Sequence, residues 1–198
     1  MIDRALRDVK DACLQPVARR MSSVSPNAIT LVGFTLGLAT AGFAAGGHFH
    51  MAVGLWLASR ICDGLDGAVA RAHGRQTDFG GYLDLLLDLV VYAAIPIGIA
   101  AWRPDTLVLF TLAVLLASFY VNLGSWLCLS AILEKRGRHD EQTTITMPGG
   151  LIEGAETILF YCAFLLWPAH AATLFAVMAI GVLIGAAQRL IWASRSLR

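Results

Sequence analysis

Charge is scarce in this 198-residue sequence: Asp, Glu, Lys and Arg make up 15% of it, against 57% hydrophobic residues. A soluble globular domain carries roughly 25% charged and 45–50% apolar residues. A chain of this size cannot bury such an apolar surplus in its own core, so lipid must be part of its solvent. The mean hydropathy of +0.67 agrees. A soluble dinucleotide-binding enzyme, a disordered tail and a DNA-binding domain are all disfavoured, and no nucleic-acid partner is expected.

Cysteine is sparse as well. Cys13, Cys62, Cys128 and Cys162 lie far apart with no CxxC pair, as free thiols packed among helices would. Lysine is missing from the apolar runs, and the one polar interruption of any length is Glu134 to Thr146. These features predict a single domain over 1–198, with a juxtamembrane amphipathic segment at 1–24 and a six-helix bundle at 25–198.

What the chain does have is a succession of long apolar runs. They predict an all-α membrane protein with six transmembrane helices near 28–47, 50–72, 78–102, 106–134, 150–167 and 170–193. Ser25-Pro26-Asn27 is a start signal, with proline suited to the first turn and Asn27 able to cap free N–H groups. Gly46-Gly47-His48, Arg103-Pro104-Asp105 and Trp167-Pro168 separate later helices. The first twenty residues do not read as a signal peptide, because arginines alternate with aspartates there. Ile2, Leu6, Val9 and Cys13 instead recur at helical spacing, which predicts an amphipathic helix at the membrane surface.

Basic residues set the orientation. Arg4, Arg7, Lys10, Arg19, Arg20, Arg71, Arg75, Lys135, Arg136, Arg138, Arg195 and Arg198 fall on one side, and Arg103 on the other. Both termini, the 72–77 turn and the 135–148 loop are therefore expected on the cytoplasmic side of a cell inner membrane. Trp102 and Trp167 are expected at the far interface.

The acids inside the spans carry the chemical information. Asp63 and Asp66 lie three apart on the second helix, Asp84 and Asp88 four apart on the third, so each pair shares a helical face. At about 1.5 Å per residue, Asp66 and Asp63 stand roughly 7 and 12 Å above Arg71, and Asp84 and Asp88 roughly 9 and 15 Å above Asp78. With a short turn between antiparallel neighbours, the four carboxylates converge at one level. Each acid near a bilayer centre costs about 2.5–3.5 kcal/mol, so four cost on the order of 10 kcal/mol before mutual repulsion. Arg60 and Arg71 cannot neutralise four acids. Capture of divalent cations can, and an all-carboxylate set without nearby Cys or His suits Mg²⁺ or Mn²⁺ rather than zinc. Gly67 and Ala70, beside the acids, leave space for a flat ligand. Metals beside an arginine at a cytoplasmic opening point to phosphate or pyrophosphate chemistry.

The run Asp63-Gly64-Leu65-Asp66-Gly67-Ala68-Val69-Ala70-Arg71, eight residues, Gly80, three residues, Asp84, three residues and Asp88 resembles the signature of the CDP-alcohol phosphotransferases. The six-helix layout and the preceding amphipathic helix extend the likeness over nearly the whole chain. The resemblance implies a phospholipid-synthesis enzyme. It would transfer a phosphatidyl group from CDP-diacylglycerol to an alcohol and release CMP, with two divalent cations, Mg²⁺ or Mn²⁺. It also implies that Asp63, Asp66, Asp84 and Asp88 hold the metals, with Asp88 as general base. Asp66, Gly67, Ala70, Arg71 and Gly80 would then bind the CDP-lipid, and the enzyme would work as a homodimer.

The acceptor alcohol stays open. Arg138 and Arg189 are candidates for binding a phosphorylated acceptor such as glycerol 3-phosphate or an inositol phosphate. Glu153 and Glu156 would suit an amine such as serine, or would simply favour a helix N-terminus. The alternative reading is a cation-coupled transporter, because buried acids often mark ion pathways. No second copy of the 63–88 pattern accompanies it, as a repeat-built transporter would require.

Overall fold

The computed structural model describes residues 14–136, 151–152 and 154–197. Among them every regular element is helical. Residues 14–20 form a short helix, α1. It is followed by α2 (Pro26–Ala45), α3 (Phe49–Ala72), α4 (Asp78–Trp102), α5 (Thr106–Lys135) and α6 (Gly154–Leu166). A 3₁₀ turn (Pro168–His170) leads into α7 (Ala171–Ser196). The stripe of Ile2, Leu6, Val9 and Cys13, with Arg138 and Glu153, lies outside the described residues.

Local chemistry explains the helix starts. Ser25 is the extended N-cap of α2 and Pro26 fills its first turn, but no side chain caps it. Asn27 was expected to do so and instead lies inside the helix. Thr77 caps α4 by accepting from the Gly80 N–H at 3.0 Å, and Asp105 caps α5 by accepting from Leu107 and Val108. Asp78 in the first turn of α4 suits the positive end of that helix.

By length and composition α2, α4, α5 and the 168–196 segment containing α7 are apolar enough to cross a membrane. Of the six expected spans, two fall short of that standard. α3 is 24 residues long but carries Arg60, Asp63, Asp66 and Arg71, and α6 has 13 residues. The chain is an integral membrane protein in which α3 and α4 carry most of the charge set within the long helices.

Tertiary packing departs from the sequence expectation at one important place. α3 and α4 are joined by a short turn, yet they make far fewer close backbone approaches to each other than either makes to α2. α2 packs tightly on both. On α4, Gly98 permits this: a Cβ there would stand 2.3 Å from the Ala41 carbonyl oxygen. α5 packs chiefly on α7, and α6 touches α3, α4 and α7. The core between these groups is aromatic and aliphatic, with Trp56, Tyr161, Phe164, Phe175, Ile95 and Leu115 fully buried. Trp56 and Tyr161 stack at 4.9 Å.

Pro96 lies inside α4 and has no N–H to offer the Tyr92 carbonyl one turn earlier. The Tyr161 hydroxyl of α6 donates to that carbonyl at 2.6 Å. In a low-dielectric interior an orphaned carbonyl costs about 1–3 kcal/mol, so this bond satisfies α4 and fixes α6 against it.

Candidate active site

The separation of α3 from α4 makes room for two adjoining cavities. The smaller, about 10 Å³, is lined by Asp63, Asp66, Asp84, Asp88, Arg60 and Thr30, among others. All four predicted acids therefore meet around one small space. Asp63, Asp84 and Asp88 each offer a carboxylate oxygen within 4.8 Å of the other two. That oxygen-only donor set fits a hard divalent cation.

Asp66 sits differently. Its Oδ2 accepts from the buried Thr30 hydroxyl at 2.6 Å, and its Oδ1 accepts from the Gly67 N–H. Thr30, one turn into α2, thus orients an acid on α3. The sequence reading missed it, although its i+4 spacing from Pro26 placed it on a definable face.

The larger cavity, about 180 Å³, is lined by Asp66, Gly67, Ala70, Arg71, Gly80 and Asp84, together with residues of α2 and the 75–77 turn. All the predicted CDP-lipid residues line this single space, and Asp66 and Asp84 face both cavities. The glycines here provide room. A Cβ on Gly67 would stand 3.1 Å from Arg71 Nη1, and one on Gly80 would stand 3.1 Å from Thr77 Oγ1 and 3.2 Å from Asn27 Oδ1. Asn27 thus belongs to the cavity wall, a position its expected capping role concealed.

Arg60 does more than the sequence reading allowed. Its Nη2 donates to Asp88 Oδ1 at 2.9 Å and its Nη1 to Asp88 Oδ2 at 3.1 Å, with Asp63 Oδ1 at 3.7 Å. Arg189, expected to meet an acceptor, lies elsewhere. It donates from α7 to the Asn122 carbonyl at 3.3 Å and to Asn122 Oδ1 at 3.1 Å, and it lines neither acid-bearing cavity.

An acid cluster opening onto a glycine-lined cavity in a membrane protein suits metal-assisted transfer of substituted phosphate groups. The chain belongs to the CDP-alcohol phosphatidyltransferase family, whose sequence profile matches residues 23–193. It is 34% identical over 175 residues to the Escherichia coli inner membrane protein YnjF, covering 85% of this chain and 84% of that one. It is 33% identical over 156 residues to the phosphatidylinositol phosphate synthase of Corynebacterium glutamicum, covering 74% of this chain and 65% of that one. The fold is shared with the Mycobacterium tuberculosis phosphatidylinositol phosphate synthase at 24% identity. Its structure with CDP-DAG bound superposes with a TM-score of 0.71, covering 90% of this chain and 92% of that one. Its complex with manganese and citrate gives 0.70, covering 90% and 87%.

Proposed function

We propose that this protein transfers the phosphatidyl group of CDP-diacylglycerol to an alcohol and releases CMP, with the acids of α3 and α4 facing the cytoplasm. The observation that carries the reading is the junction of the two cavities, where Asp66 and Asp84 border both the acid cluster and the glycine-lined space. The bound CDP-DAG and manganese of the mycobacterial neighbour support it.

In this reading Asp63, Asp66, Asp84 and Asp88 hold two divalent cations, Mg²⁺ or Mn²⁺. Their chemistry, once bound, is to neutralise the pyrophosphate and to stabilise CMP as the leaving group. Gly67, Ala70 and Gly80 leave space for the cytidine and ribose, while Arg71 meets the phosphates. Asp88 takes the proton of the acceptor hydroxyl as its oxygen bonds to the phosphatidyl phosphorus, and the anhydride bond to CMP breaks. The acceptor is the finer question. The name of the Corynebacterium relative puts a phosphorylated inositol first, with Arg138 and Arg189 proposed to bind its phosphate. The same reading treats the chain as one domain and as a homodimer, which mass measurement in detergent tests directly.

The deciding experiment measures CMP release by the purified protein in detergent with CDP-diacylglycerol and Mg²⁺ or Mn²⁺. The acceptors are inositol phosphate, glycerol 3-phosphate, inositol, serine, ethanolamine and phosphatidylglycerol. Release that needs one acceptor and stops on chelation supports the reading. Silence with every acceptor, in protein that does not bind CDP, would sink it.

A further inference from the structure

We propose that Arg60 is a positioning residue for Asp88: it selects the carboxylate oxygen that Asp88 presents to the acid cluster while opposing cation binding there. The proposal rests on the reading of Asp88 as general base, and it begins from how completely Arg60 is held. Its four terminal N–H bonds match four acceptors. Nη1 reaches Asp88 Oδ2 at 3.1 Å and Tyr92 Oη at 3.2 Å. Nη2 reaches Asp88 Oδ1 at 2.9 Å and Ser59 Oγ at 3.2 Å. Ser59 in turn donates to the Gly33 carbonyl of α2 at 2.9 Å. The guanidinium also stands 4.6 Å from the centre of the Trp56 ring and 5.4 Å from that of Tyr92, within range of cation–π attraction. A planar fork whose four terminal N–H bonds all meet acceptors, with Nε alone unpartnered, has one orientation.

That orientation makes the two Asp88 oxygens unequal. Tyr92 Oη donates to Oδ2 at 3.3 Å, so Oδ2 receives two donors and Oδ1 receives one. A carboxylate oxygen has about two acceptor sites, which leaves Oδ1 with a free lone pair. The Tyr92 backbone is itself fixed by the Tyr161 bond that replaces the missing Pro96 donor. The aromatic core is thereby connected to the base through one arginine and one tyrosine. The same guanidinium puts a fixed positive charge beside Asp88 and Asp63, where it repels any divalent cation drawn to those acids.

The two effects have opposite signs, which separates them from a merely structural role. The test uses full-length protein in detergent, with Mn²⁺ binding followed by the paramagnetic signal of the free ion and turnover followed by CMP release. Arg60→Gln removes the charge and the fork: Mn²⁺ binds at least about fivefold more tightly while kcat falls roughly tenfold or more. Arg60→Lys keeps the charge and loses the fork, so Mn²⁺ affinity stays within about twofold, kcat falls roughly tenfold, and KM for CDP-diacylglycerol holds. Tyr92→Phe shifts kcat alone. Unchanged or weaker Mn²⁺ binding in Arg60→Gln overturns the proposal, as does wild-type kcat in Arg60→Lys. If Arg60→Gln does not fold, Arg60→Lys decides. A wild-type protein that releases no CMP defeats the proposed reaction, while the Mn²⁺ titrations still decide the role of Arg60.

Discussion

Arg60 and Arg189 are both buried cations, with 8% and 6% of their surfaces exposed, and each leaves its Nε without a hydrogen-bond partner. Their surroundings differ in kind. Arg60 is forked onto Asp88, near Asp63, between two aromatic rings. Among the described residues Arg189 meets only the neutral oxygens of Asn122. Arg60 therefore has its counter-charge within the α2–α4 group, whereas the α5–α7 pair holds a cation whose counter-charge is not among its described partners. A buried charge is expensive unless it is paired. The contrast teaches that the two buried arginines are held by different means, one by carboxylates and aromatic rings and the other by neutral amide and carbonyl oxygens.

The largest expected effect breaks the acidic side. Asp88→Asn should lower kcat by on the order of 10²–10⁴ while CDP-diacylglycerol still binds. Near-normal turnover would remove Asp88 as base. Arg71→Ala should raise KM for CDP-diacylglycerol roughly tenfold with a smaller change in kcat, and an effect confined to the acceptor would reverse the assignment of the larger cavity. The basic side is sharpened by Arg189→Met, for which KM of the acceptor should rise roughly tenfold and that of CDP-diacylglycerol should hold. Equal changes in both constants would take Arg189 out of acceptor binding.

Two smaller effects separate packing from chemistry. Asn122→Ala deprives the Arg189 guanidinium of its side-chain acceptor and should cost about 1–3 kcal/mol, seen as a lower melting temperature with Mn²⁺ affinity unchanged. Tyr161→Phe should cost a similar 1–3 kcal/mol at most by orphaning the Tyr92 carbonyl, and its melting temperature should fall likewise. A Tyr161→Phe protein as stable as the wild type would mean that α4 satisfies this carbonyl without help.

Much of the site was legible before the fold. Asp63, Asp66, Asp84 and Asp88 at spacings of three and four were certain to share helical faces, and their depths matched by simple rise per residue. They do line one space. The helix limits followed from proline, glycine and N-cap residues to within a few positions, because those signals act locally. Arg60 was also legible in part: it lies one turn before Asp63 and so on the same face.

The amino-acid sequence by itself determined the medium, the helices and the family of this protein. Apolar content, periodicity and residue spacing are properties of the chain read locally. Only the tertiary structure decided that α2, rather than the direct contact of α3 with α4, frames the site. Only the fold could assign Thr30 to Asp66, Arg60 and Tyr92 to Asp88, and Tyr161 to the carbonyl freed by Pro96. Those partners come from different helices, and the distance between helices depends on side chains far apart in the chain, such as the missing Cβ of Gly98 against Ala41. A helical period tells which face a residue occupies, but not which neighbour that face will meet.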